Sequence, residues 1–188
     1  LRGLVGSEMC IRDSHKRKLV PFGEYTPWYD SIIKLSSSLN IPLSNLSNGT
    51  NAQEDIFFKN TKLLPLICFE STFPSLLKSN VENEIIINIS NDGWFGKSLA
   101  PYQHLQITQI RALEFNRYIL RAANTGLSAV IDNNGKVIKY IPINKEGVIT
   151  GFVPINLDTS FYSRYGDIFI LMLLFLTLLS QGLSRLRT

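Results

Sequence analysis

The chain has little with which to build a metal centre or a disulfide framework. Its 188 residues include two cysteines, Cys10 and Cys68, and two histidines, His15 and His104. There is no CxxC pair and no zinc-ligand spacing, so neither a structural zinc nor a cysteine scaffold is expected. Charge is also sparse. Only 18% of residues are charged while 45% are hydrophobic, which excludes a disordered chain and leaves a globular domain with a real core. The basic residues are scattered, apart from His15-Lys16-Arg17-Lys18. No basic stripe or recognition motif marks a nucleic-acid partner. The net charge of +4 and pI near 9.1 suit the neighbourhood of an anionic membrane.

Polar residues are missing from one long stretch. "DIFILMLLFLTLLSQGLSRLRT" holds an uncharged apolar run from Ile168 to Leu179, extendable to Leu183. That is slightly short of the roughly 17–25 residues of a spanning helix. A buried helix is the plain alternative, but a helix apolar on all faces is enclosed everywhere or sits in lipid. A transmembrane helix is therefore expected over 166–183. Arg185 and Arg187 come after it, which places the C-terminus in the cytoplasm and the preceding domain outside.

At the other end, residues 1–14, "LRGLVGSEMCIRDS", show no period and do not join the pattern of the segment after them. They resemble translated adaptor read-through and are set aside, with Cys10, as a non-native leader.

Between these ends the chain alternates strands and helices. Pro27 to Leu39 reads as a short helix and Ser36 to Asn51 as an exposed loop. Ile56–Phe58 and Leu63–Cys68 read as strands, Ser71–Lys78 as a short helix, and Glu84–Ile89 as a buried strand. "SNDGWFG" is a loop, Tyr102–Tyr118 a helix, and "YILRAAN", "SAVID" and "VIKYI" strands, the last two a hairpin about "NNG". "VITGFVPI" completes the set as a final strand. This order predicts a layered α/β domain with a partly antiparallel sheet.

Three clusters carry possible chemistry: "KRKLVPFGEYTP" (16–27), "LICFES" (66–71) and "NISNDGWFG" (88–96). A fourth, "RALEFNRYILRAANTG" (111–126), accompanies them. Singly, each has a plain reading. A lone cysteine at a strand end is more often core than catalyst. Glu114 and Arg117 could form a surface pair.

In their joint order the clusters resemble the nitrilase, or carbon–nitrogen hydrolase, superfamily, and within it the apolipoprotein N-acyltransferase family. The matching residues are Lys16-x-x-Leu-Val-Pro-Phe-Gly-Glu24, Cys68-Phe-Glu70, Ser90-Asn-Asp-Gly-Trp-Phe-Gly96, Arg111-Ala-x-Glu114 and Arg121-Ala-Ala-Asn-Thr-Gly126. The resemblance runs from His15 to about residue 182. It implies a nitrilase-like αββα sandwich, incomplete because its N-terminal part is missing, over 15–160, with the membrane helix after it.

The implied chemistry uses a Glu–Lys–Cys triad and no cofactor or metal. Cys68 would be the nucleophile and Lys16 the triad lysine. An ammonium beside a thiol favours the thiolate, and a thiolate can hold an acyl group as a thioester. Glu24 would be a second catalytic carboxylate, orienting Lys16 or the incoming amine. Glu70, Phe69 and Trp94 would shape or line the substrate site; Phe69 stands where the family often has Tyr. Glu114, Arg117 and Arg121 would brace the scaffold.

The implied donor is a phospholipid. The acceptor is the α-amino group of a diacylglyceryl-cysteine at the start of a lipoprotein. The implied setting is the periplasmic side of the bacterial inner membrane. The family's general-base glutamate lies upstream of the lysine motif, and Glu8 has none of its context, so this chain is expected to be nearly inactive alone. Two other readings fit some of the motifs: a soluble amidase of the nitrilase type, and a membrane-tethered module without turnover.

Overall fold

A computed structural model of the chain describes residues 14–28, 46–50 and 52–185. The leader before residue 14, most of the helix expected after Pro27, and most of the loop expected before Asn51 lie outside them.

Six strands form one mixed sheet in sequence order. They are β1 (Ile56–Phe58), β2 (Thr61–Ile67), β3 (Ile85–Ser90), β4 (Tyr118–Ala123), β5 (Ser128–Ile131) and β6 (Val137–Ile141). β2, β3 and β4 run parallel, Leu64 opposite Ile86 and Ile86 opposite Ile119. β1 adds antiparallel to one side, and β5 and β6 antiparallel to the other. The parallel pairs need crossovers. The first is a 3₁₀ turn, Cys68–Thr72, followed by helix α1 (Pro74–Lys78); the second is a 3₁₀ turn, Asp92–Phe95, followed by helix α2 (Ala100–Phe115).

Strand alternation decides which face the helices cover. Leu64 and Leu66, Ile86, Ile119, and Ala129 and Ile131 point to one side. There they close a core with Leu76 and Leu77 of α1 and Leu105, Ala112 and Phe115 of α2. Replacing a side chain such as Leu66 by alanine costs about 2–5 kcal/mol in such a core. The opposite phase of β3 (Ile85, Ile87, Ile89) is apolar too, yet Ile89 is exposed. The described residues thus form one helical layer on one sheet, two of the four layers expected.

Some boundaries differ from the sequence reading. Tyr118, read both as the helix end and as the first residue of "YILRAAN", opens β4, because α2 stops at Phe115 and Asn116 adopts a left-handed conformation (φ 54°) at its C-terminus. The last expected strand, over 148–155, is not one: Val148 and Phe152 are 90% and 88% exposed and carry no sheet pairing. The chain instead runs back over the end of α2. There Arg117 donates to the carbonyl of Asp158 at 2.7 Å and Asn116 to the same oxygen at 3.2 Å.

Helix α3 (Phe161–Tyr165) then leads to α4 (Ile168–Arg185). The spanning helix expected over 166–183 is corrected here. Among the described residues no helix is long and apolar enough to cross a membrane. The continuous apolar part, Ile168–Leu179, reaches only about 18 Å at 1.5 Å per residue, against about 30 Å of hydrocarbon. Its apolar side chains are nonetheless 46–63% exposed.

Candidate active site

The parallel strands set the place of the site. In open parallel sheets ligands gather outside the carboxyl ends of the strands. The turn after β2 carries Cys68, Phe69 and Glu70, and the turn after the adjacent β3 carries Asp92 and Trp94.

Cys68 begins its turn in the left-handed region, with φ 51°. That conformation crowds a residue with a Cβ and persists only where the surroundings enforce it. The thiol is free and half-buried. The turn behind it is bonded closely: Ser71 Oγ donates to the Cys68 carbonyl at 3.1 Å and Thr72 Oγ1 to that of Phe69 at 2.7 Å.

Glu70 is fully buried. Its Oε1 accepts from the backbone N–H of Arg17 at 2.5 Å and of Lys18 at 3.3 Å; its Oε2 accepts from the N–H of Ile67 at 2.8 Å. The Arg17 guanidinium lies 3.5 Å from Oε1 and donates to the Pro65 carbonyl at 2.8 Å. One carboxylate therefore fastens the segment that carries Lys16 to the strand end that carries Cys68. The hydrogen bonds of Glu70 come from backbone N–H groups, and the Arg17 side chain is its ion-pair partner.

Lys16 places Nζ 2.5 Å from Oε1 of Glu24. The other Glu24 oxygen accepts from the Val20 N–H at 2.9 Å, closing the turn of "VPFGE". Phe69 packs edge-on to Phe73 at 5.1 Å. Trp94 is 72% exposed.

Beneath the turn lies a polar network that sequence reasoning missed, apart from the bracing role given to Arg121. His104 of α2 sets Nε2 3.1 Å from the Cys68 carbonyl and Nδ1 3.1 Å from Asp92 Oδ1. Arg121 of β4 donates to Asp92 Oδ2 at 2.8 Å and also to Asn88. Ser90 donates to Asp92 Oδ1 at 2.6 Å. A signal existed: Asn88 and Arg121 stand at the inward phase of otherwise apolar strands, and His104 and Thr108 lie one turn apart on the buried side of α2.

Burial works to raise the Asp92 carboxyl. Hydrogen bonds from His104 and Ser90 and the charge of Arg121 outweigh it, and its pKa falls to about 2. Burial pulls the Arg121 guanidinium down, while Asp92 and, less strongly, Cys68 hold it up. Gly126 lies against the Asp92 carboxylate so closely that any Cβ there would collide with it.

The other bracing residues divide. Arg117 is buried and donates to the carbonyls of Asn83 and Val81 as well as Asp158. Glu114 pairs with Arg111 rather than with Arg117.

A carbon–nitrogen hydrolase family model matches residues 7–160. The chain belongs to the carbon–nitrogen hydrolase family. It is 38% identical to an apolipoprotein N-acyltransferase of Pasteurella multocida over 173 residues, 91% of this chain and 33% of that protein. It is 40% identical to one of Rickettsia bellii over 163 residues, 86% of this chain and 32% of that protein. A solved carbon–nitrogen hydrolase from Helicobacter pylori is 15% identical and covers 53% of this chain and 43% of its own, with a TM-score of 0.48. The chain spans about a third of the length of the curated relatives it matches.

Proposed function

We propose that this chain supplies the thiol and the lysine of an apolipoprotein N-acyltransferase. The observation that carries the reading is the Glu70 clamp, which ties the lysine segment to the cysteine turn. The names of the relatives favour acyl transfer over amide hydrolysis.

In the proposed reaction the Cys68 thiolate attacks the ester carbonyl of a phospholipid. The C–O bond breaks, the lysophospholipid leaves as an alcohol after taking a proton, and a thioester remains on Cys68. The α-amine of a diacylglyceryl-cysteine then attacks the thioester. The C–S bond breaks, the amine gives up its proton, and the thiol returns. The Lys16 ammonium, held by Glu24, stabilises first the thiolate and then the tetrahedral oxyanion. One such donor is commonly worth about 3 kcal/mol. Phe69 and Trp94 line the path of the acyl chain.

The setting is a bacterial inner membrane, with the catalytic domain on the periplasmic side. Support comes from α4, apolar on every face from Ile168 to Leu179. We place the exposed apolar side chains of that helix against lipid. The apolar outer face of β3 fits the missing half of a four-layer sandwich.

The test joins residues 15–188 to the upstream two thirds of the Pasteurella relative and incubates the product with phospholipid vesicles. Mass spectrometry should find an acyl adduct on Cys68, absent after Cys68→Ala. Failure to find the adduct, or its survival in Cys68→Ala, defeats the proposal.

A further inference from the structure

The left-handed turn at Cys68 needs an external hold, and α2 supplies one. A residue with a Cβ at φ 51° is held there by its surroundings. Glu70 fixes the Ile67 N–H before Cys68. After it, the Cys68 carbonyl faces Ser71 Oγ and His104 Nε2, each at 3.1 Å. Nε2 also lies 3.0 Å from Ser71 Oγ. A carbonyl oxygen only accepts, so a bond from the ring to Cys68 requires the hydrogen on Nε2.

The ring cannot turn away easily. Nδ1 lies 3.1 Å from Asp92 Oδ1 and 3.2 Å from Arg121 Nη2. Thr108 Oγ1 donates to the His104 carbonyl at 2.9 Å, and Phe95 stands edge-on to the imidazole at 6.2 Å. Asp92 is itself tied to Ser90 and Arg121. His104 therefore couples the nucleophile's main chain to β3, β4 and α2 at once.

We propose that His104 is a positioning residue: its Nε2–H holds the Cys68 carbonyl so that the sulfur keeps its reactive orientation. This rests on the reading of Cys68 as nucleophile. His104 does not touch substrate, and it acts on the thiol only through the backbone of residue 68. Its effect is geometric, so a group that restores the Nε2 donor restores the thiol's reactivity.

The 188-residue chain allows a direct test. Alkylation of Cys68 by iodoacetamide is followed by mass spectrometry of the peptide that carries it, which separates it from Cys10. His104→Gln keeps a donor at the Nε2 position; His104→Asn keeps one only at the Nδ1 position. The Gln variant should react within about threefold of the unmodified chain and the Asn variant at least about tenfold more slowly, the scale of a misplaced reactive group. Equal rates for the two variants, or a Gln variant that is slow or unfolded, overturn the proposal.

A measurement without variants keeps the proposal open to refutation should the Asn form not fold. In the chain labelled with ¹⁵N-histidine, the His104 ring should carry its hydrogen on Nε2; a ring with the hydrogen on Nδ1 alone overturns it. If Cys68 in the unmodified chain reacts no faster than a free thiol, the nucleophile reading falls and takes this one with it. If it reacts fast while Gln and Asn match, only the role of His104 is lost.

Discussion

The Glu70 carboxylate accepts the backbone N–H of Arg17 at 2.5 Å, although 53 residues separate them. The bond lies in a fully buried place, and a second oxygen of the same carboxylate holds Ile67. The two segments with the candidate lysine and cysteine therefore share one fastening.

Glu70→Gln should weaken that fastening. The amide keeps one acceptor and turns a donor toward backbone N–H groups. A buried group left unsatisfied costs about 1–3 kcal/mol. Thermal unfolding should show that loss, and Glu70→Ala, which also strands the Arg17 charge, should lose about 3–5 kcal/mol.

Lys16→Met should slow alkylation of Cys68 at pH 7. The proposed mechanism puts the Lys16 ammonium beside the thiolate, and the substitution takes that stabilisation away. The rate at high pH should be unchanged. An identical pH profile for variant and unmodified chain means that the amine does not face the sulfur.

Acid should unfold the domain through Asp92. The folded pKa, about 2, lies below the reference value of 3.8. The carboxylate therefore contributes stability that is complete above about pH 4 and is lost as pH falls through about 2. The contribution is roughly 2 kcal/mol. Denaturant titrations between pH 5 and 2 should trace it, and Asp92→Asn should flatten the curve.

Gly126→Ala should destabilise the domain by about 2 kcal/mol or more, since its methyl meets the Asp92 carboxylate. The penalty should shrink in an Asp92→Ala background, because the two groups compete for one space. A double-mutant cycle on unfolding midpoints measures the coupling.

Flotation with anionic vesicles tests helix α4. The chain should float, and Leu174→Asp should release it, because an acid at the centre of an apolar helix costs about 2.5–3.5 kcal/mol on insertion. Flotation of the variant equal to that of the parent chain removes α4 as the lipid contact.

Much of the fold could be read from local pattern. The β-branched run at 84–89 and the apolar side of the long helix each follow from a period that one segment displays alone. The motif residues drew attention for the same reason: "VPFGE", "CFES" and "NDGWFG" are contiguous. The 148–155 strand failed although β6 is an edge strand: Gly151 and Pro154 interrupt the run, and it takes no ladder pairing with β6. The spanning helix failed on length, since Ser180 and Gln181 end the apolar stretch too early.

What the sequence determined by itself was therefore the order of strands and helices, the apolar faces, and the thiol, lysine and carboxylates available for chemistry. What only the tertiary structure decided was which of these meet. Glu70 reaches Arg17 across 53 positions and His104 reaches the Cys68 carbonyl across 36. Such bonds depend on how β2, β3 and α2 pack, and no local period in the chain encodes a distance between residues so far apart.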